Sequence, residues 1–250
     1  DEGNLTVLGR SWPVDGTRTL DGVAGFIESP KFYPYLTGLQ NLRLLAGLDG
    51  QGSVERIAEA VDVVDLTGRE RDKVGGYSFG MRQRLGVAAS LLRAPRLLVL
   101  DEPANGLDPA GIRDMRALVK RLAASGLTVL LSSHNMDEVE EICDNVTIMR
   151  TGQVAYHGTI DALRDQAPAA AHRLTTDDDE RALACAAYVE GLHVERQDGA
   201  LAVRGTQAQV DAYVRVLFGN DVVPRSLTLE ETPLEALFFL LTETASVALR

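Results

Sequence analysis

The chain has 250 residues, of which 45% are hydrophobic, 24% charged and 5% aromatic, and its net charge is −11. This composition is typical of a globular protein with a sizeable core, and it argues against a disordered or fibrous chain. No apolar run approaches the roughly 18 residues of a membrane-spanning helix. The acidic start is not expected to be a secretory signal. The two cysteines lack paired spacing, which argues against a disulfide framework or a zinc cluster.

The acidic balance also bears on the choice of partner. Residues 1–158 carry a net charge of −4 and residues 159–250 a net charge of −7. A surface that binds a polyanion usually leaves a basic footprint in the sequence. Nucleic acid is therefore not expected as a partner.

The first 93 residues are predicted to form short strands followed by helices. Thr37 and Gln40 have the spacing of a capping box, which satisfies backbone N–H groups at the start of a helix. Residues 30–93 are expected to be mostly helical. The predicted elements are strands at 5–8 and 23–27, and helices that begin at Thr37, at Ser53 and at Ser78, the last running to about Arg93.

From residue 94, strands are predicted to alternate with helices. The run Leu97–Leu100 is typical of a strand buried on both faces. Asp108 and Pro109 supply an N-cap and a first helical residue. The elements are strands at 97–100 and 127–131, helices at 109–125 and 136–142, and a hairpin of 146–149 with 154–156. This alternation predicts a βαβ core with a parallel sheet.

Residues 159–250 are predicted to form a separate small α/β domain. The strand-like segments are 172–175, 192–195, 201–204 and 222–229, and the helix-like segments are 180–189, 207–218 and 233–241. They give a β-α-β-β-α-β order followed by a last helix.

Two acidic residues, Asp101 and Glu102, directly follow the apolar strand. Ligands of open α/β sheets bind outside the carboxyl ends of the strands. There, one carboxylate can hold Mg²⁺ and the next can accept a proton from an attacking water. Taken alone, the pair is better explained as a helix cap or a salt-bridged acidic turn.

Three segments together resemble one family. Residues 97–108, LLVLDEPANGLD, closely resemble the Walker B motif and D-loop of ATP-binding cassette (ABC) proteins. Tyr77–Leu85 resembles their signature motif, and Ser132–His134 resembles their H-loop. The order and spacing of all three match over residues 1–158. Residues 27–36, IESPKFYPYL, are similar to exporter ATPases of the bacitracin and lantibiotic-resistance type.

The resemblance implies a role for each matching residue in one ATP site. Asp101 would act on Mg²⁺ through water, and Glu102 would be the general base. His134 would contact the γ-phosphate and the attacking water. Glu28, where the family usually has glutamine, could be a further Mg²⁺ ligand.

The resemblance also implies contacts across a nucleotide-sandwich dimer. Ser78 and Gly80 would bind the γ-phosphate held by the other subunit, and Asp108 would contact that subunit. Phe79 and Met81 depart from the usual glycine and glutamine of the signature motif. Tyr33, Tyr35 and Leu36 lie where the family receives a helix of the membrane subunit, although packing within the protein explains them equally well.

The implied fold is a P-loop NTPase-like ABC ATPase core, with a parallel sheet and a helical subdomain at about 30–93. Residues 1–158 would form this core and residues 159–250 an accessory domain. The implied function is that of the subunit that binds and hydrolyses ATP with Mg²⁺ and drives export through a separate permease. Such a subunit works as a homo- or heterodimer in the cytoplasm, at the inner face of the membrane.

One expected motif does not occur in the chain. No G-x-x-x-x-G-K-[ST] is present, and the three lysines Lys31, Lys73 and Lys120 follow no glycine-rich loop. The family places this Walker A unit before the position of Asp1. A strand–loop–helix unit of roughly 30 residues is therefore expected to be truncated, which would leave this chain inactive by itself. A non-transport ABC protein and a catalytically dead regulatory module stay open as alternatives.

Overall fold

The computed structural model describes residues 3–49 and 51–243, and the chain forms two compact units. One unit ends at Glu138 and the other begins at Val139. The first contains β1 (Thr6–Val7), β2 (Arg10–Ser11), α1 (Trp12–Asp15), β3 (Val23–Phe26), α2 (Gly38–Asp49), α3 (Gln51–Glu55), α4 (Ile57–Val63), α5 (Phe79–Leu91), β4 (Leu97–Asp101), α6 (Pro109–Ala124) and β5 (Thr128–Ser132), with 3-10 turns at Gly16–Leu20 and Val74–Gly76. Helix α7 (Met136–Ile142) lies at the boundary.

A three-stranded parallel sheet in the order β3-β4-β5 organises the first unit. Phe26 pairs with Leu100, and Asp101 pairs with Ser132. The parallel βαβ arrangement predicted from the alternation is thus confirmed. Because the strands are parallel and in register, their carboxyl ends lie at one edge of the sheet.

The central strand is buried as its apolar sequence predicts. Leu98 and Leu100 have no exposed surface. Helix α6 packs on the neighbouring strand β5, and its buried side chains are Met115, Leu118, Val119 and Leu122. Fully burying an aliphatic side chain of this size stabilises a fold by about 1.5–3 kcal/mol. The strand that carries Asp101 is therefore held firmly.

The helical segment between β3 and β4 begins as predicted but divides differently. The capping box at the start of α2 is present, since Thr37 N donates to Gln40 Oε1 at 2.9 Å and Gln40 N donates to Thr37 Oγ1 at 3.1 Å. The prediction that Ser53 caps a helix is wrong, because Ser53 lies inside α3 and is buried. The helix break falls at Arg56, whose Nη1 donates to the carbonyl of Leu92 at 3.1 Å.

The second unit contains the predicted β-α-β-β-α-β order. Its elements are β6 (Asn145–Arg150), β7 (Gln153–Thr159), α8 (Ile160–Arg164), β8 (Ala171–Thr176), α9 (Asp179–Cys185), β9 (His193–Gln197), β10 (Ala200–Arg204), α10 (Gln207–Gly219), β11 (Pro224–Glu231) and α11 (Pro233–Glu243), with a 3-10 turn at Ala186–Tyr188. An antiparallel sheet runs in the order β11-β8-β10-β9. Helices α9 and α10 cover one face of it around Leu174, Leu201 and Tyr213.

The first compact unit ends at Glu138, whereas the sequence predicts a domain division at residue 158, which stays a prediction. The β6–β7 hairpin belongs to the second unit because α11 packs on both of its strands. Arg150 Nη1 also donates to the carbonyl of Leu241 at 3.4 Å. None of the described helices is both long and apolar enough to cross a membrane.

Candidate active site

The predicted acidic pair lies at the carboxyl end of β4, and a serine from β5 connects its two members. Ser132 Oγ donates to Asp101 Oδ1 at 2.6 Å and accepts from the backbone N–H of Glu102 at 2.9 Å. The end of β4 is thereby fixed to the end of β5. Sequence reasoning did not assign this role to Ser132. Its position at the end of the strand that follows β4 in the chain could have indicated it, because Asp101 ends β4.

Glu102 contacts the histidine that sequence reasoning paired with it. His134 Nδ1 lies 2.9 Å from Glu102 Oε2. The imidazole is 74% exposed, whereas the carboxylate is 29% exposed. The hydrogen bond to Glu102 and its negative charge raise the pKa of His134. The two residues assigned to catalysis therefore lie together, with one imidazole nitrogen engaged by the carboxylate.

Glu102 has an unusual backbone conformation, with φ at +47°. A residue with a side chain rarely adopts this left-handed region, and holding it there costs about 1–3 kcal/mol. Glu28, two residues beyond the end of β3, has a φ of +56°. Both acidic residues thus turn sharply out of their strands at the same sheet edge.

The His134–Glu102 contact gives a pH prediction. In Glu102→Gln, the pKa of His134 should fall toward its ordinary value of about 6.5, because the amide carries no charge. In the unchanged protein the imidazolium–carboxylate pair is present below the raised pKa and is lost as pH rises through it. An NMR titration measures this, and an identical His134 pKa in both proteins would show that the contact is absent in solution.

Ser78 and Gly80 lie at the start of α5, away from any described contact with Glu102 or His134. Ser78 is the N-cap, and its Oγ accepts from Met81 N at 3.2 Å. Gly80 lies beside Leu107. A Cβ added at Gly80 would lie 3.5 Å from Leu107 Cδ2. The first turn of this helix presents free N–H groups and the positive end of the helix dipole.

The residues between β4 and α6 approach the start of α5. The ring of Phe79 lies beside Gly106, and Arg82 lies over that ring, 5.7 Å from its centre. Asp108 caps α6, and its Oδ1 accepts from Gly111 N at 2.7 Å. The capping role expected of Asp108 is confirmed, while a contact with another subunit stays a prediction.

The residues present fit Mg²⁺ only as part of a larger ligand set. Within residues 3–49 and 51–243, no group of three or more His, Cys, Asp or Glu side chains could hold a metal ion. Mg²⁺ usually binds through one or two carboxylates together with phosphates and water. Asp101, with its oxygen donors at the end of β4, suits that mode of binding.

Comparison with known proteins shows to which family this chain belongs. A protein-family model described as "AAA domain, putative AbiEii toxin, Type IV TA system" matches residues 31–140. The ABC transporter ATP-binding protein YdbJ of Bacillus subtilis (strain 168) is 37% identical over 231 residues, which cover 91% of this chain and 73% of YdbJ. This chain belongs to the ABC transporter ATP-binding proteins.

Further relatives agree with this ABC family assignment. The bacitracin transport ATP-binding protein BcrA of Bacillus licheniformis is 31% identical over 238 residues, covering 94% of this chain and 78% of BcrA. A solved structure titled as the ATP-binding subunit of an ABC transporter is similar with a TM-score of 0.55 and 30% identity, over 66% of this chain and 70% of that one. The ABC resemblance and the ABC ATPase fold are thus confirmed.

Proposed function

We propose that this ABC protein is the ATP-hydrolysing subunit of an exporter and works with a membrane permease. The observation that carries the proposal is the contact between His134 and Glu102 beside Asp101, at the carboxyl end of a buried parallel strand. Similarity to BcrA, a bacitracin transport protein, supports export of a peptide antibiotic as the physiological task.

In the proposed reaction, the carboxylate of Glu102 takes the proton from the attacking water. A positioned carboxylate is an effective general base when it lies within hydrogen-bond reach of the proton that it accepts. His134 holds that carboxylate through Nδ1, and its exposed ring leaves Nε2 to contact the terminal phosphate. As a general base, Glu102 acts in its carboxylate form.

Asp101, with Glu28 as a second candidate, would hold Mg²⁺. Bound Mg²⁺ would neutralise charge that develops on the phosphates. Ser132 keeps the carboxylate of Asp101 in one orientation by donating to Oδ1. Glu28 is exposed at the same sheet edge.

The proposed dimer would use the start of α5 and the residues that precede α6. Ser78 and Gly80 would donate to the γ-phosphate bound by the second subunit, because the start of a helix favours an anion. Asp108 would contact that subunit from the loop before α6. Similarity to transporter subunits supports the permease as a partner, and the exposed rings of Tyr33 and Tyr35, 5.7 Å apart, are candidates for that contact.

The proposal is tested by measuring ATP hydrolysis. The full-length protein, reconstituted with its permease, is expected to show ATPase activity that vanadate inhibits. Absence of vanadate-sensitive hydrolysis in a folded complex would contradict the proposed function.

The 250 residues by themselves are proposed to bind MgATP weakly and not to hydrolyse it. They contain no glycine-rich loop followed by a lysine, which in P-loop proteins surrounds the phosphates with backbone N–H groups. Isothermal titration calorimetry with MgATP is expected to give no saturable heat up to millimolar nucleotide. A dissociation constant in the micromolar range would contradict this.

A further inference from the structure

The turn that carries His134 is closed by a small hydrogen-bonded ring. Asn135 N donates to Ser133 Oγ at 3.1 Å, and Ser133 Oγ donates to Glu138 Oε2 at 3.0 Å. Glu138 N in turn donates to Asn135 Oδ1 at 3.1 Å. His134 is the residue between Ser133 and Asn135, so these three bonds fix its backbone on both sides.

Glu138 is unusual because it is an acidic side chain in a nearly buried position. It is 8% exposed, although a carboxylate loses hydration when it is buried. Its Oε1 lies 3.8 Å from Arg116 Nη2 on α6, whose side chain is also largely buried. The hydroxyl of Ser133 and this guanidinium offset the cost of burying the charge.

Among the described residues, the imidazole has one hydrogen-bond partner. The side chain of His134 is 74% exposed, and Glu102 is the partner that the structure gives it. An exposed side chain samples several rotamers unless its backbone is fixed. The orientation of the turn therefore decides whether Nδ1 stays on Glu102.

We propose that Glu138 is a positioning residue, which acts through Ser133 to keep His134 Nδ1 against Glu102. The expected effect on kcat rests on the proposed ATPase function. The positioning of His134 by Glu138 does not depend on that function. Glu138 does not touch the reacting atoms, and its effect on them passes through the backbone of the turn.

Ser133→Ala is the sharpest test, because it breaks the link and leaves the charge of Glu138 in place. In the full-length protein with labelled histidine, this change is expected to lower the pKa of His134 toward its ordinary value. The kcat for ATP hydrolysis with the permease is expected to fall about tenfold, since small misplacements of a catalytic group are costly, while KM stays within about twofold.

Three further variants separate positioning from charge and from folding. Glu138→Ala should lower kcat as Ser133→Ala does, but it also removes a negative charge that helps to raise the pKa of His134. Glu138→Gln removes the same charge and should keep most of the rate, because its amide oxygen can still accept from Ser133. Asp137→Asn removes an exposed neighbouring charge and should change neither quantity. Circular dichroism establishes that each variant is folded.

The proposal is overturned if folded Ser133→Ala keeps the unchanged pKa of His134, or if folded Ser133→Ala and Glu138→Ala both keep the unchanged kcat. Failure of the proposed function would look different. In that case the Glu102→Gln protein would keep its ATPase rate, while the NMR measurements on His134 would still report whether the turn is positioned by Glu138.

Discussion

Replacing Glu102 with Gln is expected to lower the vanadate-sensitive ATPase rate of the full-length protein with its permease by at least about 100-fold. Gln has nearly the same shape and can still accept a hydrogen bond from His134, but it cannot take a proton from water. The turn with φ at +47° is expected to survive, because the change leaves the backbone and side-chain length unaltered. The loss should therefore appear in kcat, with little change in KM.

The matched control for this substitution is Glu59→Gln. Glu59 is an exposed glutamate in the first turn of α4, and the same chemical change there should leave the rate unchanged. If the Glu102→Gln and Glu59→Gln proteins hydrolysed ATP equally fast, Glu102 would not be the base. If both lost activity, the effect would come from the general loss of negative charge.

Local sequence signals predicted the helix starts because a cap is formed by residues within one turn of each other. Thr37 with Gln40, Ser78 and Asp108 each cap the helix that follows them, as their spacing indicates. Ser53 has the same residue type but lies inside α3, because the residues before it are already helical. A capping residue therefore marks a possible start, and neighbouring residues decide whether it is used.

The position of Asp101, Glu102 and His134 at the strand ends was predictable from the sequence, but their connections were not, and their roles stay predictions. The motif order placed Asp101, Glu102 and His134 at the ends of neighbouring strands, and the structure brings them to one sheet edge. The bond from Ser132 to Asp101 joins residues 31 positions apart, and the ring around His134 depends on a buried acid of α7. Such contacts depend on strand register and side-chain burial, which no local pattern specifies.

The packing of the β6–β7 hairpin shows the same limit of local patterns. The β6–β7 hairpin was expected with the first part of the chain because it follows the βαβ elements directly. Both of its strands contact α11, which lies more than 70 residues later in the sequence. The hairpin thus packs within the second unit because of its contacts with α11, which is distant in sequence.

Gly25→Ala is expected to lower the free energy of unfolding of the first unit by about 3 kcal/mol or more. Gly25 lies opposite Val99 in the β3–β4 pairing, and an added Cβ would lie 1.8 Å from the carbonyl oxygen of Val99. Its φ of +157° is also one that residues with a side chain rarely adopt. Either β3 must move away from β4 or both backbones must distort.

Urea unfolding followed by the fluorescence of Trp12, the single tryptophan, reports on this unit. The control is Gly47→Ala in the exposed part of α2, where an added Cβ meets no atom within 4 Å. Because alanine favours a helix over glycine, that variant should be more stable by about 0.5–1 kcal/mol. Equal midpoints for Gly25→Ala and the unchanged protein would mean that β3 and β4 are not paired in this register. Since β4 ends at Asp101 and leads directly into Glu102, a displaced β3 should also reduce ATP hydrolysis, even though neither acid is altered.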